Sequence, residues 1–149
     1  MPHVTPIKIR GYHLDLYGHV NNARYLEFLE EGRWSWLESR GDPGGFKDWG
    51  WGFSVVNVNI NYRRAATVGE VLEIRTALKS LGRRSGVMHQ EAVLQGTDTL
   101  VVDADVTFVL VSFEDGKAVA IEGELRERLG GMLEEPGGAW HGEESTLRT

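Results

Sequence analysis

The spacing of apolar residues changes its period near residue 22. Before this point, "VTPIKIR" alternates apolar and polar residues, which predicts a short strand that ends near Asp15. From Asn22 onward apolar residues recur every three or four positions, which predicts a helix that ends near Ser39. The residues on its apolar face are Tyr25, Leu26, Leu29, Gly32, Trp36 and Leu37. Asn21 or Asn22 is the expected N-cap, because an Asn side-chain oxygen accepts hydrogen bonds from the free amides of a helix start.

Gly32 lies in the middle of the predicted helix, where glycine costs about 1 kcal/mol relative to alanine. The usual compensation is the close approach of another backbone. We therefore expect the helix to be wrapped by something flat, such as a sheet.

Four strand-like runs follow the helix and indicate an antiparallel meander. The short links "GRR" and "GTDT" between the last three runs are typical of hairpins. A short C-terminal helix is predicted to start near Glu122, in "AIEGELRERLGGMLEE". The strand-like runs are "FSVVNVNINYRR", "VLEIRTALKSL", "SGVMHQEAVLQ" and "LVVDADVTFVLVSF".

Three asparagines, Asn57, Asn59 and Asn61, share one face of the first long strand. Asparagine is a poor strand former, so these side chains need partners or water. Either the face is solvated, or it meets a symmetry mate or a polar part of the functional site. A sheet of this size also leaves an edge strand to cover, which favours a dimer.

The composition bounds the class of protein. The 149 residues, 41% of them hydrophobic, suit one domain with one core over residues 1–134, followed by a flexible tail over residues 135–149 that is rich in Pro, Gly and charge. The absence of cysteine excludes a disulfide framework and fits a reducing compartment. No apolar run has the length of a signal peptide or membrane span, so we expect a cytoplasmic protein. A net charge of −6 argues against a broad nucleic-acid surface.

The familiar catalytic motifs are missing from this sequence. There is no Gly-x-Ser-x-Gly elbow, cysteine nucleophile, phosphate loop or dinucleotide fingerprint. No pair of histidines has the spacing of a helical zinc motif. His13 and Asp15 would share a strand face, but two ligands without a third make a weak metal site. We therefore expect no metal and no cofactor.

Asp15 and the start of the predicted helix remain as the candidate chemistry. A helix N-terminus offers unpaired N–H groups and a partial positive charge to an oxygen that becomes negative during a reaction. Gly18 permits a tight turn that returns the carboxylate toward these donors. Asp15 would then attack a carbonyl or deprotonate a water molecule. From these residues alone, a cap or turn acid without catalysis is the alternative.

The stretch "DLYGHVNN", followed by "ARYLEFLEEGR", resembles the signature of the hotdog-fold thioesterases of the 4-hydroxybenzoyl-CoA thioesterase class, and most of all the bacterial long-chain acyl-CoA thioesterases. The similarity covers about residues 7 to 130 and includes "VVNVNINYRRAA", "SGVMHQEAVL", "VVDADVTFVLV" and "AIEGELRERL". The resemblance implies an α+β hotdog fold, in which a curved antiparallel sheet of about five to six strands wraps one long helix. It also implies a homodimer with the active site between subunits, and further assembly to a homotetramer is open.

The same resemblance implies hydrolysis of fatty acyl-CoA, with long chains expected, to free acid and CoA. Asp15 would be the nucleophile or general base, and the backbone amide of Asn22 would bind the oxyanion. His19 would support the turn or orient water. The alternatives are a non-catalytic acyl-thioester binding module and a hotdog enoyl-CoA hydratase, which would need His19 paired with an acid.

Further residues carry weaker functional hypotheses. Tyr25 either lines an acyl pocket or packs in the core, and Glu27 is either a second acid or a solvated one. The phosphates of CoA need basic residues, and the candidates are Arg63, Arg64, Arg83, Arg84 and Ser85; the alternative for the arginines is that they are solvated surface residues. The aromatic loop residues form either the wall of a fatty-chain tunnel or a satellite core; they are Phe46, Trp49, Trp51 and Phe53.

Overall fold

A computed structural model describes residues 2–40 and 50–134. The strands are β1 (His3–Lys8), β2 (Trp51–Tyr62), β3 (Val71–Leu81), β4 (Ser85–Leu94), β5 (Leu100–Ser112) and β6 (Ala118–Val119). The helices are α1 (Asn22–Ser39) and α2 (Gly123–Gly130), and a single 3-10 turn spans Gly11–His13. The tail over residues 135–149, Phe46 and Trp49 lie outside the described residues, so the predictions made for them remain predictions.

The strands form one antiparallel sheet with the order β1-β3-β4-β5-β2, and β6 pairs with β5. The predicted meander of four strands is confirmed for β3, β4 and β5, which pair in sequence order through short turns, but it is wrong for β2. The strand β2 does not pair with β3, its neighbour in sequence. It pairs with β5 and is the edge strand opposite β1. The link between β2 and β3 over residues 63–70 therefore has to cross the sheet, and it passes the start of α1.

The sheet wraps α1, as the hotdog arrangement requires. Tyr25, Phe28, Leu29 and Trp36 of α1 are buried against the inner face of the sheet. At Gly32 a Cβ atom would lie 2.6 Å from Ile74 Cγ2, 2.9 Å from Thr76 Oγ1 and 3.0 Å from Gln90 Nε2, which is too close for any side chain. The expected close approach at this glycine is confirmed, but the approaching atoms belong to side chains rather than to another backbone.

Register shifts curve the sheet in three places. They lie between Val55 and Asn57, between Leu78 and Ser80, and between Ala92 and Val93. A bulge bends its strand and increases the local twist, which lets a flat sheet close around a helix. At the first of these shifts, in β2, the apolar side chain of Val56 is exposed. The three asparagines that follow are all exposed, and Asn61 donates a hydrogen bond of 2.9 Å to Asp103.

The segment before α1 departs from the prediction. The strand β1 ends at Lys8 rather than near Asp15, because residues 11–13 turn into the 3-10 turn. His13 is buried there, where its Nδ1 accepts the Arg10 amide at 2.9 Å and its ring packs on Phe28 at 4.9 Å. Asp15 is exposed, so the two residues do not share a strand face and the weak metal hypothesis loses its basis.

The C-terminal helix is confirmed, with Glu122 as its N-cap and Leu129 as its buried residue. Met132 follows the helix end and packs against the core. Within residues 2–40 and 50–134, no helix has both the length and the apolar character needed to cross a membrane.

Candidate active site

Asp15 begins a five-residue turn that is closed by its own backbone and side chain. The Asp15 amide donates to the His19 carbonyl at 2.8 Å, and Gly18 adopts a positive φ of 78° that a tight turn requires. Asp15 Oδ1 accepts the amides of Tyr17 at 2.9 Å and His19 at 3.3 Å. Its second oxygen, Oδ2, accepts no hydrogen bond from any described residue. One carboxylate oxygen therefore fixes the turn, and the other faces solvent.

The segment between this turn and α1 is fixed to neighbouring backbone on both sides. The Val20 amide donates to the Ala66 carbonyl, and the Asn21 amide donates to the His13 carbonyl, both at 2.9 Å. Thr67 Oγ1 donates to the Gly18 carbonyl at 2.8 Å. The link between β2 and β3 thus holds the turn against the start of the helix.

The start of α1 leaves one amide exposed to a ligand. Asn21 is the N-cap, and its Oδ1 accepts the Ala23 amide at 2.9 Å. The Arg24 amide donates to the Asn21 carbonyl, also at 2.9 Å. Among the described residues, nothing accepts the N–H of Asn22, the first residue of the helix. This free donor is the one that the resemblance assigns to the oxyanion, and it lies at the positive end of the helix dipole.

Three other predicted residues near the helix start have different surroundings. His19 supports the turn through its backbone, and its ring makes no hydrogen bond with the described part of the chain. Glu27 is exposed and pairs with Arg24 at 2.8 Å. Tyr25 is buried in the core between Phe28 and Tyr62, where burial raises its pKa. Its role in substrate binding remains a prediction.

The two arginine pairs differ in whether their charges are already neutralised. Arg63 pairs with Asp103 at 2.8 Å, and Arg64 pairs with Glu70 through two contacts of 3.0 and 3.3 Å. The Arg64 pair holds the pKa of Glu70 below its usual value. Neither pair excludes phosphate binding, but each arginine would have to share its guanidinium.

Arg83 and Arg84 lie in the exposed turn between β3 and β4, and their guanidinium groups make no ion pair within the described residues. Ser85 begins β4, and its carbonyl accepts the Gly82 amide at 2.7 Å. Arg126 of α2 donates to the Gly82 carbonyl at 2.9 Å, which brings a third cation to this turn. The turn is therefore better suited to a phosphate than Arg63 and Arg64 are.

A cavity of about 830 Å³ lies between α1 and the strands β2, β4 and β5. Phe53 lines it, as the tunnel hypothesis for the aromatic loop requires, and packs edge-on against Phe108 with ring centroids 4.8 Å apart. Tyr25 is not among its lining residues. The apolar walls include Trp36, Phe53, Val55, Met88, Val106 and Phe108.

Arg33 and Glu30 are charged residues in the wall of this mostly apolar cavity, and Arg33 was not predicted to be a site residue. Arg33 Nη1 donates to Gln90 Oε1 at 3.1 Å. Glu30 lies on the same helix and accepts a hydrogen bond from Trp34 Nε1 at 3.3 Å. A signal for this site existed in the sequence, because Gln90 interrupts the inward-facing apolar positions of β4.

Comparisons with known proteins agree on one family. A family model described as the thioesterase-like superfamily matches residues 9–129. The long-chain acyl-CoA thioesterase FadM of Escherichia coli (strain K12) is 49% identical over 129 residues, which cover 87% of this chain and 98% of that protein.

Two solved structures have the same architecture. YbaW of Escherichia coli, described as a probable thioesterase, superposes with a TM-score of 0.81 at 48% identity, covering 88% of this chain and 98% of that one. The hypothetical protein TT1821 of Thermus thermophilus superposes with a TM-score of 0.78 at 27% identity, covering 91% and 100%.

Proposed function

Because the chain belongs to the thioesterase-like superfamily, we propose that it hydrolyses acyl-CoA thioesters, and that its substrates carry long fatty acyl chains. The similarity to FadM supports this substrate class, since the match includes nearly the whole length of both proteins. The large apolar cavity beside α1 supports it as well, because a long chain needs a wall of aromatic and aliphatic side chains.

The observation that carries the proposal is the free amide of Asn22 next to a carboxylate turn that is fixed in place. The thioester carbonyl oxygen accepts a hydrogen bond from this amide, which stabilises the negative charge that develops on the oxygen. Asp15 either attacks the carbonyl carbon, giving an anhydride that water hydrolyses, or takes a proton from the attacking water. The C–S bond breaks, the CoA thiolate leaves and is protonated, and the acid is released. No metal or cofactor takes part.

The nucleotide end of CoA binds at the β3–β4 turn in this proposal. Arg83 and Arg84 have guanidinium groups without a carboxylate partner in the described chain, and the Ser85 hydroxyl lies next to them. Guanidinium groups bind phosphate with charge-assisted hydrogen bonds. Arg63 and Arg64 are weaker candidates because each already pairs with an acid.

The working form is a homodimer, which is open to further assembly, in the cytoplasm. The absence of cysteine fits a reducing compartment. Large apolar side chains next to Asp15 support the dimer, because Leu16 is 93% exposed and Tyr17 is 79% exposed. A second subunit that covers them would shield the reacting carbonyl from water.

The test is thiol release from acyl-CoAs of increasing chain length by the wild type and Asp15→Asn. General acid–base catalysis contributes about 100-fold or more, so Asp15→Asn should lose at least that factor in kcat. Asp115→Asn is the matched control, because Asp115 also accepts the amide two residues later in an exposed turn, but far along the chain from the site. Equal activity in wild type and Asp15→Asn would refute the assignment of the catalytic acid.

The same assay separates the alternatives. A wild-type protein that binds acyl-CoA but releases no thiol from any chain length is a binding module. A protein that adds water to an enoyl-CoA without releasing thiol is a hydratase. Either result would replace the proposed reaction.

A further inference from the structure

Arg33 is the unusual residue of the cavity, because it brings a positive charge into an apolar wall. The guanidinium has five N–H donors, and one contact, to Gln90 Oε1, is present. Within residues 2–40 and 50–134, no carboxylate lies within ion-pair distance of Arg33. Burial lowers its pKa, which reports the loss of water around the charge.

The position of Arg33 is fixed from behind by Gln90. The Gln90 side chain is fully buried, and its Nε2 donates to the Leu29 carbonyl at 2.8 Å and to Thr76 Oγ1 at 2.9 Å. Since both amide protons are used, the Gln90 oxygen must point toward Arg33. Residues of α1, β3 and β4 therefore hold the Gln90 side chain that contacts the Arg33 guanidinium.

Glu30 forms no ion pair with Arg33. It also lines the cavity and raises the pKa of Arg33 against the larger effect of burial, but its Oε2 accepts the Trp34 ring N–H at 3.3 Å. A half-buried charge with a neutral acceptor alone is costly, and a ligand that brings a negative charge would remove much of this cost.

A carboxylate is the ligand group that best matches these donors. The planar guanidinium binds a carboxylate through two parallel hydrogen bonds. The cavity walls around it are aromatic and aliphatic, so the remainder of the ligand must be apolar. We propose that this cavity binds an aliphatic chain that ends in a carboxylate, with Arg33 binding the carboxylate and the apolar walls binding the chain.

The carboxylate has two sources that are consistent with this chemistry. Arg33 lies eleven positions after Asn22, which is about 16 Å along the helix axis. A thioester that reacts at Asn22 would therefore place at Arg33 a second acid group at the far end of its chain. The other source is the free fatty acid product, with its own carboxylate at Arg33. This part of the inference rests on the proposed thioesterase function.

The kinetic arm of the test compares two substrates of equal length, hexadecanoyl-CoA and hexadecanedioyl-CoA. Arg33→Met keeps an unbranched apolar side chain and removes the charge. Arg33→Lys keeps the positive charge but replaces the planar guanidinium with an ammonium group. Arg33→Met should lower the ratio of kcat/KM for hexadecanedioyl-CoA to kcat/KM for hexadecanoyl-CoA about tenfold or more. The ratio for Arg33→Lys should lie between the ratios for the wild type and Arg33→Met. The control is Arg128→Met on α2, an exposed arginine away from the cavity.

The binding arm uses calorimetry with free hexadecanoic acid, hexadecanedioic acid and hexadecanol. If the product is the ligand, wild type should bind hexadecanoic acid at least tenfold more tightly than hexadecanol, and Arg33→Met should lose this preference. If the ligand is the second carboxylate of a diacid, Arg33→Met should still lower kcat/KM for hexadecanedioyl-CoA relative to hexadecanoyl-CoA. In that case the wild type should bind hexadecanoic acid no more tightly than hexadecanol.

The outcomes separate this proposal from the thioesterase proposal. An Arg33-dependent preference for a carboxylate supports the cavity proposal even if no acyl-CoA is hydrolysed, in which case the proposed function alone fails. Arg33→Met and wild type behaving alike in both arms would overturn the cavity proposal. A loss that is equal for both substrates and all three ligands would do the same, because it indicates damage to the fold rather than recognition of a carboxylate.

Discussion

Asn21 and Asn22 show how two identical neighbouring residues take different roles. The side chain of Asn21 caps α1, whereas Asn22 contributes a backbone amide that remains free. The sequence predicted the helix start but not which asparagine caps it, since either side chain can do so. Which asparagine caps the helix depends on the residue at which the helix begins. The hydrogen bond from the Asn21 amide to the His13 carbonyl fixes that residue.

We expect Asn21→Ala to lower the free energy of unfolding by about 1 kcal/mol, because the Ala23 amide loses its acceptor. It should also lower kcat/KM for acyl-CoA, since the Asn22 amide is positioned by the same first turn. Urea unfolding and thiol release measure the two effects. Asn57→Ala, which changes an exposed asparagine on β2, is the control. An Asn21→Ala protein as stable as wild type would contradict the capping role.

Single arginines illustrate the limit of residue-level prediction. Arg63 and Arg83 are both exposed-looking members of basic pairs in the sequence. Only the fold shows that Arg63 pairs with Asp103, forty positions away, while the Arg83 guanidinium has no carboxylate partner among residues 2–40 and 50–134. The sequence could not provide this difference, because it depends on which strand β2 meets.

At the scale of elements, local pairings were predictable and distant ones were not. The hairpins of β3, β4 and β5 were predicted from their short links. The pairing of β2 with β5 has no local signal, because about forty residues separate the strands. The same pairing places the asparagines of β2 opposite Asp103 and Asp105, so the surroundings of that polar face could not be predicted either.

The contact between Gly86 of β4 and Phe108 of β5 offers a test of packing between strands. A Cβ atom on Gly86 would lie 2.5 Å from Phe108 Cζ, so the ring occupies the space that glycine leaves. Gly86→Ala should therefore displace the Phe108 ring into the cavity and cost about 1–3 kcal/mol of unfolding free energy.

Chemical denaturation of Gly86→Ala measures this cost, and thiol release across chain lengths measures the change in the cavity. Gly11→Ala is a suitable control, since a Cβ atom there meets nothing within 4 Å. Unchanged stability of Gly86→Ala would show that Phe108 moves freely and is not held by the glycine.

A charged cluster on the outer face of the sheet predicts how stability depends on pH. His89 of β4 contacts Asp105 at 2.8 Å and Glu91 at 3.0 Å. Burial lowers the pKa of His89, but the hydrogen bonds to Asp105 and Glu91 outweigh it and raise the pKa to about 9. The folded protein therefore retains a proton that the unfolded chain releases near its ordinary pKa of 6.5.

The stabilisation from His89 is fully present below about pH 6.5 and is lost as the pH rises through about 9. We expect the stability of the wild type to fall across this window, and that of His89→Gln to fall less. Denaturant midpoints between pH 6 and pH 10 measure the difference. His19→Gln, which changes an exposed ring, is the control. Parallel pH profiles for wild type and His89→Gln would refute this role.

At the scale of the whole molecule, the fold was predictable and the cavity was not. The motif around Asp15 and the change of hydrophobic period were sufficient to predict a helix wrapped by a sheet. The cavity forms where side chains from α1, β2, β4 and β5 converge, so no single segment of sequence describes it. Two local indications existed: Gln90, a polar residue in an inward-facing position, and Phe53, one of the aromatic residues considered for the wall of a tunnel.

The proposed dimer predicts a measurable mass. Light scattering should give about twice the chain mass of 16.7 kDa. Leu16→Glu places a charge on the apolar surface beside Asp15 and should shift the protein toward the monomer, with loss of thiol release. Leu133→Glu, which changes another exposed apolar residue after α2, should leave the mass unchanged. A monomeric wild type that is fully active would contradict the dimer.

The hydrogen bonds from Thr67 and Val20 connect the turn at Asp15 to the link between β2 and β3. That link exists only when both strands have joined the sheet, so the arrangement of carboxylate and amide is completed during folding and is not rebuilt at each turnover. Such a site has little reorganisation left to make when substrate arrives. On heating, catalysis should then persist up to the temperature at which the sheet itself melts, and end there without an earlier inactive but folded state.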